Sequence, residues 1–188
     1  MEIKREPKLL EIVESLLRSY EEHGEISHLE GGNLPSREVI WSVVEDLLRV
    51  LFPGFLEEGL IPGDEVSART QERVSSLERR LKREIEKALL FREDPDMSAR
   101  DRGNLARATA LKFLGEVPAV RDMIATDIEA AYEGDPAARS NEEIIVAYPG
   151  LQAIAVYRMA HVLFLEGIPL VPRVMTEYAH SSTGIDIH

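Results

Sequence analysis

The 188 residues include no cysteine, which removes disulfide staples and thiolate chemistry. No uncharged apolar run approaches the roughly 20 residues that a membrane-spanning helix needs. The opening Met1-Glu2-Ile3-Lys4-Arg5-Glu6 has no apolar stretch behind its basic residues, so no secretory signal is expected. Positive charge is in deficit: 22 Lys and Arg against 34 Asp and Glu leave a formal −12. That sign repels nucleic-acid phosphates and anionic headgroups. Also missing are a P-loop, Gly-x-Gly-x-x-Gly, His-Glu-x-x-His, Gly-x-Ser-x-Gly and any zinc-ligand cluster, which removes the strongest self-sufficient catalytic signatures. These absences favour a cytoplasmic protein whose partners are small molecules or other proteins, with no nucleic acid and no membrane.

What is present is the balance of a soluble globular chain, 44% hydrophobic and 30% charged, long enough for one sizeable domain or two small ones. Leu9, Ile12, Val13, Leu16, Leu17 and Tyr20 recur at three-and-four spacing and predict a helix over residues 8 to 20. After Gly24 and Gly31-Gly32-Asn33-Leu34-Pro35, the same period resumes over residues 36 to 51 and stops by Pro53-Gly54. Breakers make residues 55 to 64 a connector. From about 67 to 92 a narrow apolar seam of Val74, Leu77, Leu81, Ile85, Ala88 and Leu89 runs through charged residues, which predicts one long exposed helix. That seam reads as the inner face of an ordinary amphipathic helix or as a contact surface for a partner helix.

Asp94-Pro95-Asp96 stops this helix. Two helices are then expected, over residues 99 to 114 and 117 to 132, with Pro118 at the first turn of the second. A short helix over 142 to 148, an apolar-rich one over 151 to 166 and a last one over about 172 to 181 follow. Only Thr183-Gly-Ile-Asp-Ile-His188 alternates with period two, the pattern of a strand. The fold class is therefore all-α, with one incipient strand at the C-terminus.

Few residues carry chemistry. Asp135 precedes Pro136; such an Asp is commonly a turn or helix N-cap residue, and alternatively a carboxylate placed to pair with a ligand ammonium. Asp186 and His188 are two apart and would share one side of a strand, as two metal ligands or an acid-base pair would, with His180 as a third member. That spacing matches no known ligand motif, and no metal is expected. His161 reads as a packed or capping helix residue, and His23 and His28 as members of a polar loop.

Four blocks, in order, carry a resemblance. They are Asp127-Ile-Glu-Ala-Ala-Tyr-Glu-Gly-Asp135-Pro-Ala-Ala, Tyr148-Pro-Gly-Leu-Gln-Ala-Ile-Ala-Val-Tyr-Arg158-Met-Ala-His161, Ile168-Pro-Leu-Val-Pro-Arg173 and Thr183-Gly-Ile-Asp186-Ile-His188. Together they resemble the serine O-acetyltransferases of cysteine biosynthesis, over about residues 120 to 188. The resemblance implies a variable helical region (1 to 119), a helical-domain core (120 to 182) and the first strand (183 to 188) of a left-handed parallel β-helix. It implies L-serine and acetyl-CoA as substrates, acetyl-CoA being a co-substrate and no bound cofactor being involved, and a homo-oligomer, trimer or dimer of trimers. Asp186 matches the carboxylate that orients the catalytic His, and Asp135 the carboxylate that holds the serine. His188 does not match the base. The base and the acetyl-CoA groove would lie beyond residue 188, so this chain alone is expected to be inactive. The competing expectation is a helical oligomerisation or regulatory module that uses the seam of residues 74 to 89.

Overall fold

The computed structural model describes residues 6–29, 33–91 and 97–187. The expected stop at Asp94-Pro95-Asp96, the Gly31-Gly32 break and His188 lie outside them. The chain divides into two compact units, residues 1–33 and 34–188. In the first, α1 (Pro7–Glu22) carries Pro7 in its opening turn and ends where the His23 N–H donates to the Ser19 carbonyl at 3.0 Å. A single 3-10 turn, Gly24–Ile26, follows.

The second unit contains α2 (Arg37–Leu51), α3 (Val66–Ala88), α4 (Ala99–Gly134), α5 (Asn141–Ala147), α6 (Pro149–Leu165) and α7 (Val171–Thr183). Their starts follow from local chemistry. Ser36, Ser98 and Ser140 accept the N–H groups of Val39, Asp101 and Glu143 at 3.3, 3.1 and 3.2 Å, satisfying amides that a helix start leaves unpaired. Proline stands in the first turn of α6 and α7, where its missing N–H costs nothing. Gly184 closes α7 at φ 73, a left-handed value that glycine adopts without a Cβ penalty.

Helix α2 packs on α3, α3 on α4, α4 on α6, α6 on α7, and α7 returns to α2. The ring encloses one core in which Leu47, Leu77, Ile85, Phe113, Met159 and Met175 have no accessible surface. Burial of each such side chain contributes about 1.5–3 kcal/mol. Trp41 of α2 meets Tyr178 of α7 edge-on at 5.6 Å and carries the Arg37 guanidinium over its face at 4.2 Å. Glu84 is buried, yet its carboxylate accepts the Ser36 N–H at 2.6 Å and the Lys87 ammonium at 2.8 and 3.1 Å. The charge is thus compensated at the positive start of α2.

Three expectations are corrected. The α3 seam is largely internal: Leu77, Leu81, Ile85 and Ala88 are 0–1% accessible while Val74 at its start is exposed, so residues 77 to 88 are not free to form the contact surface expected of them. The two helices expected around Pro118 are one, the 36-residue α4. Val117 and Val120 on either side of Pro118 are buried, and their packing outweighs the missing backbone bond. The period-two tail adopts no regular element over residues 185–187; a strand needs a neighbouring strand to take its N–H and C=O groups, and among the described residues there is none.

Among the described residues, the backbone is strained at Leu170. Leu170 sits at φ 62, ψ −49, and the Val171 N–H donates back to the Pro169 carbonyl at 2.6 Å, the geometry of a tight three-residue turn that side chains with a Cβ rarely adopt.

Candidate functional site

The junction between α4 and α6 brings together Asp135 with Tyr148 and Asp127 with Arg158, but not Asp186. Helix α4 ends as the Asp135 N–H donates to the Ala131 carbonyl at 3.2 Å. Asp135 is therefore the C-cap of α4 and not the N-cap of the next helix, a role taken by Ser140. Its Oδ1 accepts the Ala137 N–H at 2.9 Å, folding the turn over itself. Its Oδ2 accepts the Tyr148 hydroxyl at 2.6 Å. Tyr148 both ends α5 and precedes α6, with φ −91 and ψ 109, the extended conformation that Pro149 imposes on the residue before it.

Two turns upstream on α4, Asp127 receives a two-pronged bond from Arg158 of α6, Nε to Oδ2 at 2.8 Å and one terminal nitrogen to Oδ1 at 2.7 Å. A planar guanidinium on a planar carboxylate holds both distance and rotation, so α4 and α6 leave this clamp in a set relation and carry Asp135 and Tyr148 to each other.

The electrostatics follow from these bonds. The Tyr148 hydroxyl, then the Ala137 N–H, stabilise the anion and hold the Asp135 carboxyl below its ordinary 3.8. Reciprocally, the bond to Asp135, with desolvation and the charges of Asp135 and Glu143, pushes the Tyr148 phenol up to about 12. At neutral pH the site is a phenol donating to an ionised carboxylate. A carboxylate offers about four acceptor directions; two are engaged, and the half-buried group retains others for a cation.

Asp186 is exposed, two residues past Gly184. Gln152 Nε2 in the first turn of α6 donates to Ser182 Oγ in the last turn of α7 at 3.3 Å, so the two helices run antiparallel. The segment that carries Asp186 thus leaves α7 at the end where α6 begins, the end at which Tyr148 and Asp135 stand. Ile187 then lines a cleft of about 370 Å³ with Tyr157, His161, Phe164, Pro172 and Arg173. That cleft belongs to the far half of α6; Tyr148 and His161 are 13 residues apart, about 20 Å along a helix.

His161 is solvent-exposed and caps no helix, and its ring stacks between Tyr157 and Phe164 at 5.7 and 6.0 Å. His180 is exposed on the last turn of α7. Among the described residues no group of three His, Cys, Asp or Glu side chains is arranged to hold a metal ion, and no helix is long and apolar enough to cross a membrane.

Tyr148, Asp127 and Arg158 received no role from the sequence. The signal for Tyr148 was its place directly before Pro149, which marks a helix entry. For Asp127 and Arg158, 31 residues apart, no local pattern existed.

A closed ring of helices with an ionised carboxylate at one interhelical turn defines, among the described residues, an all-α domain. No protein-family model matches the chain. The plasmid-encoded serine acetyltransferase of Synechococcus elongatus is 34% identical over 165 residues, 82% of this chain and 50% of that protein. The serine acetyltransferase of a Synechocystis species is 45% identical over 62 residues, 33% of this chain and 25% of that protein. Among solved structures, serine acetyltransferase isoform 3 of Entamoeba histolytica, determined in complex with cysteine, superposes with a TM-score of 0.62 at 28% identity, covering 93% of this chain and 56% of that one. The chain is homologous to the serine acetyltransferases over most of its length, as the four motif blocks imply, and spans about half the length of the Synechococcus relative.

Proposed function

We propose that this chain is the helical part of a cytoplasmic serine O-acetyltransferase, which moves the acetyl group of acetyl-CoA to the hydroxyl of L-serine and supplies O-acetylserine for cysteine biosynthesis. Asp135 binds the serine ammonium and so turns a bimolecular encounter into an oriented one. Asp186 orients an imidazole supplied by polypeptide beyond residue 188. That imidazole takes the hydroxyl proton as the serine oxygen attacks the thioester carbonyl, and Asp186 stabilises the resulting imidazolium. Collapse of the adduct breaks the C–S bond, and the proton passes to the departing CoA sulfur. Residues 183 to 188 open the repeat domain, and the assembly is a trimer or a dimer of trimers.

The observation that carries this reading is the Asp135 carboxylate, ionised and half-buried at a turn, with acceptor directions left open. The amoebic relative was solved with cysteine, a zwitterion of serine's size, which supports a pocket of this kind. The test is twofold. The purified 188-residue chain is expected to consume no acetyl-CoA in the presence of serine, and turnover would contradict the division of labour. The reading frame downstream of His188 is expected to continue with Pro and then hexapeptide repeats of small and branched apolar residues; a native gene that stops there would overturn the reading.

A further inference from the structure

We propose that Tyr148 is the positioning residue of the substrate-binding carboxylate: by donating its hydroxyl to Asp135 Oδ2 it fixes which acceptor directions of Asp135 stay open, and so makes Asp135 a receptor for a primary ammonium. This rests on the serine reading above.

The geometry carries the inference. Each carboxylate oxygen has one fixed donor, Ala137 N–H on Oδ1 at 2.9 Å and Tyr148 O–H on Oδ2 at 2.6 Å. With one bond the carboxylate would still rotate about its terminal torsion; with one on each oxygen its plane is set. The donors come from different elements, the turn itself and the α5–α6 junction, so the orientation reports the packing of α4 against α6. That packing is in turn held by the Asp127–Arg158 clamp.

Both donors stabilise the anion, which an ammonium requires: a protonated carboxyl would present a donor where the ligand is itself a donor. Among charged groups around the pair, Glu143 of α5 adds negative potential at Tyr148. Glu133 of α4, Arg139 of the turn and Glu142 of α5 line the adjoining cleft. On the other side Tyr148 shares a cleft with Leu48, Phe52 and Leu56, which bring no charge. Tyr148 therefore sits with its ring against apolar side chains and its hydroxyl on Asp135, as a positioning group would.

The experiment uses the chain itself, with carboxyl carbons labelled and observed by NMR. In wild type the Asp135 carboxyl carbon is expected to titrate below 3.8 and to show an isotope shift when the Tyr148 hydroxyl proton exchanges for deuterium. L-serine should perturb the amides around Asp135, whereas N-acetyl-L-serine, which lacks the ammonium, should not. Tyr148→Phe keeps the ring and removes only the donor. It should move the Asp135 titration upward, raise the acid limb of serine binding with it, and weaken serine about tenfold, the scale of one hydrogen bond to a charged group. Asp135→Asn should abolish the serine response.

An unchanged Asp135 titration and unchanged serine affinity in Tyr148→Phe would overturn the role of Tyr148 and leave the serine reading standing. Absence of the isotope shift in wild type would do the same without any variant. Serine binding that survives Asp135→Asn, that N-acetyl-L-serine matches, or that is missing from wild type would overturn the ammonium receptor and the serine-binding role of Asp135 together.

Discussion

Removal of the Asp127–Arg158 clamp should cost more than an ordinary surface ion pair and should loosen the site at a distance. The two side chains are 19% and 29% accessible, between the exposed pairs that contribute about 0.2–1 kcal/mol and the buried ones whose rupture costs about 3–5 kcal/mol. Charge centres about 4 Å apart attract by about 4 kcal/mol at an effective dielectric of about 20. Ordering the arginine side chain offsets up to about 2 kcal/mol of this. Partial desolvation of the two groups offsets a further fraction, and a coupling energy of about 1.5 kcal/mol remains. The assay is a double-mutant cycle, Asp127→Ala, Arg158→Ala and both, by urea unfolding at low salt. With a slope of about 1–3 kcal/mol/M, a 1.5 kcal/mol loss lowers the midpoint by about 0.5–1.5 M. The amides of Asp135 and Tyr148 should shift in each single variant. A coupling below about 0.5 kcal/mol, or unmoved amides at the junction, would refute the idea that the clamp sets the site.

Three further outcomes are expected. Leu81→Asp places a charge in a site 1% accessible and should abolish the cooperative unfolding transition in circular dichroism; a folded variant that merely changes size on gel filtration would restore the oligomerisation surface. Asp135 has its folded value below the unfolded 3.8, so its stabilisation is complete above 3.8 and is lost as pH falls through the folded value. Tyr148 is pushed up to about 12, so its contribution is complete below 10 and is lost as pH rises through that value. The difference in urea midpoint between wild type and Asp135→Asn should accordingly be flat across neutral pH and shrink toward acid. Leu170→Gly relieves the positive φ of 62 and should be neutral or stabilising by up to about 1 kcal/mol by thermal unfolding; a loss above that would show that the Leu170 side chain, 43% accessible, makes contacts that outweigh the strain.

Much of this protein was legible in one dimension because helices announce themselves locally. Apolar residues at three-and-four spacing, serines ahead of them and prolines in first turns determine α1, α2, α5, α6 and α7 to within a few residues, since backbone hydrogen bonds and caps act over four positions. Asp135 was legible as a residue of interest by its motif. Its chemistry was not: the hydroxyl that holds it ionised belongs to a residue 13 positions away, across a helix.

Burial decided the rest. The polar flanks of α3 suggested an exposed helix, but Leu77, Leu81 and Ile85 are core because α2 and α4 supply facing apolar rows, and no helix's own sequence states what faces it. Pro118 reads as a helix start where only local bonds count, and lies inside α4 because Val117 and Val120 gain more by packing than one backbone bond loses. The alternating tail carries a strand's pattern, yet strand pairing is a contact between segments, and the described residues offer it no partner. Local rules thus determined the helices, and the meeting of α4 with α6 determined the site.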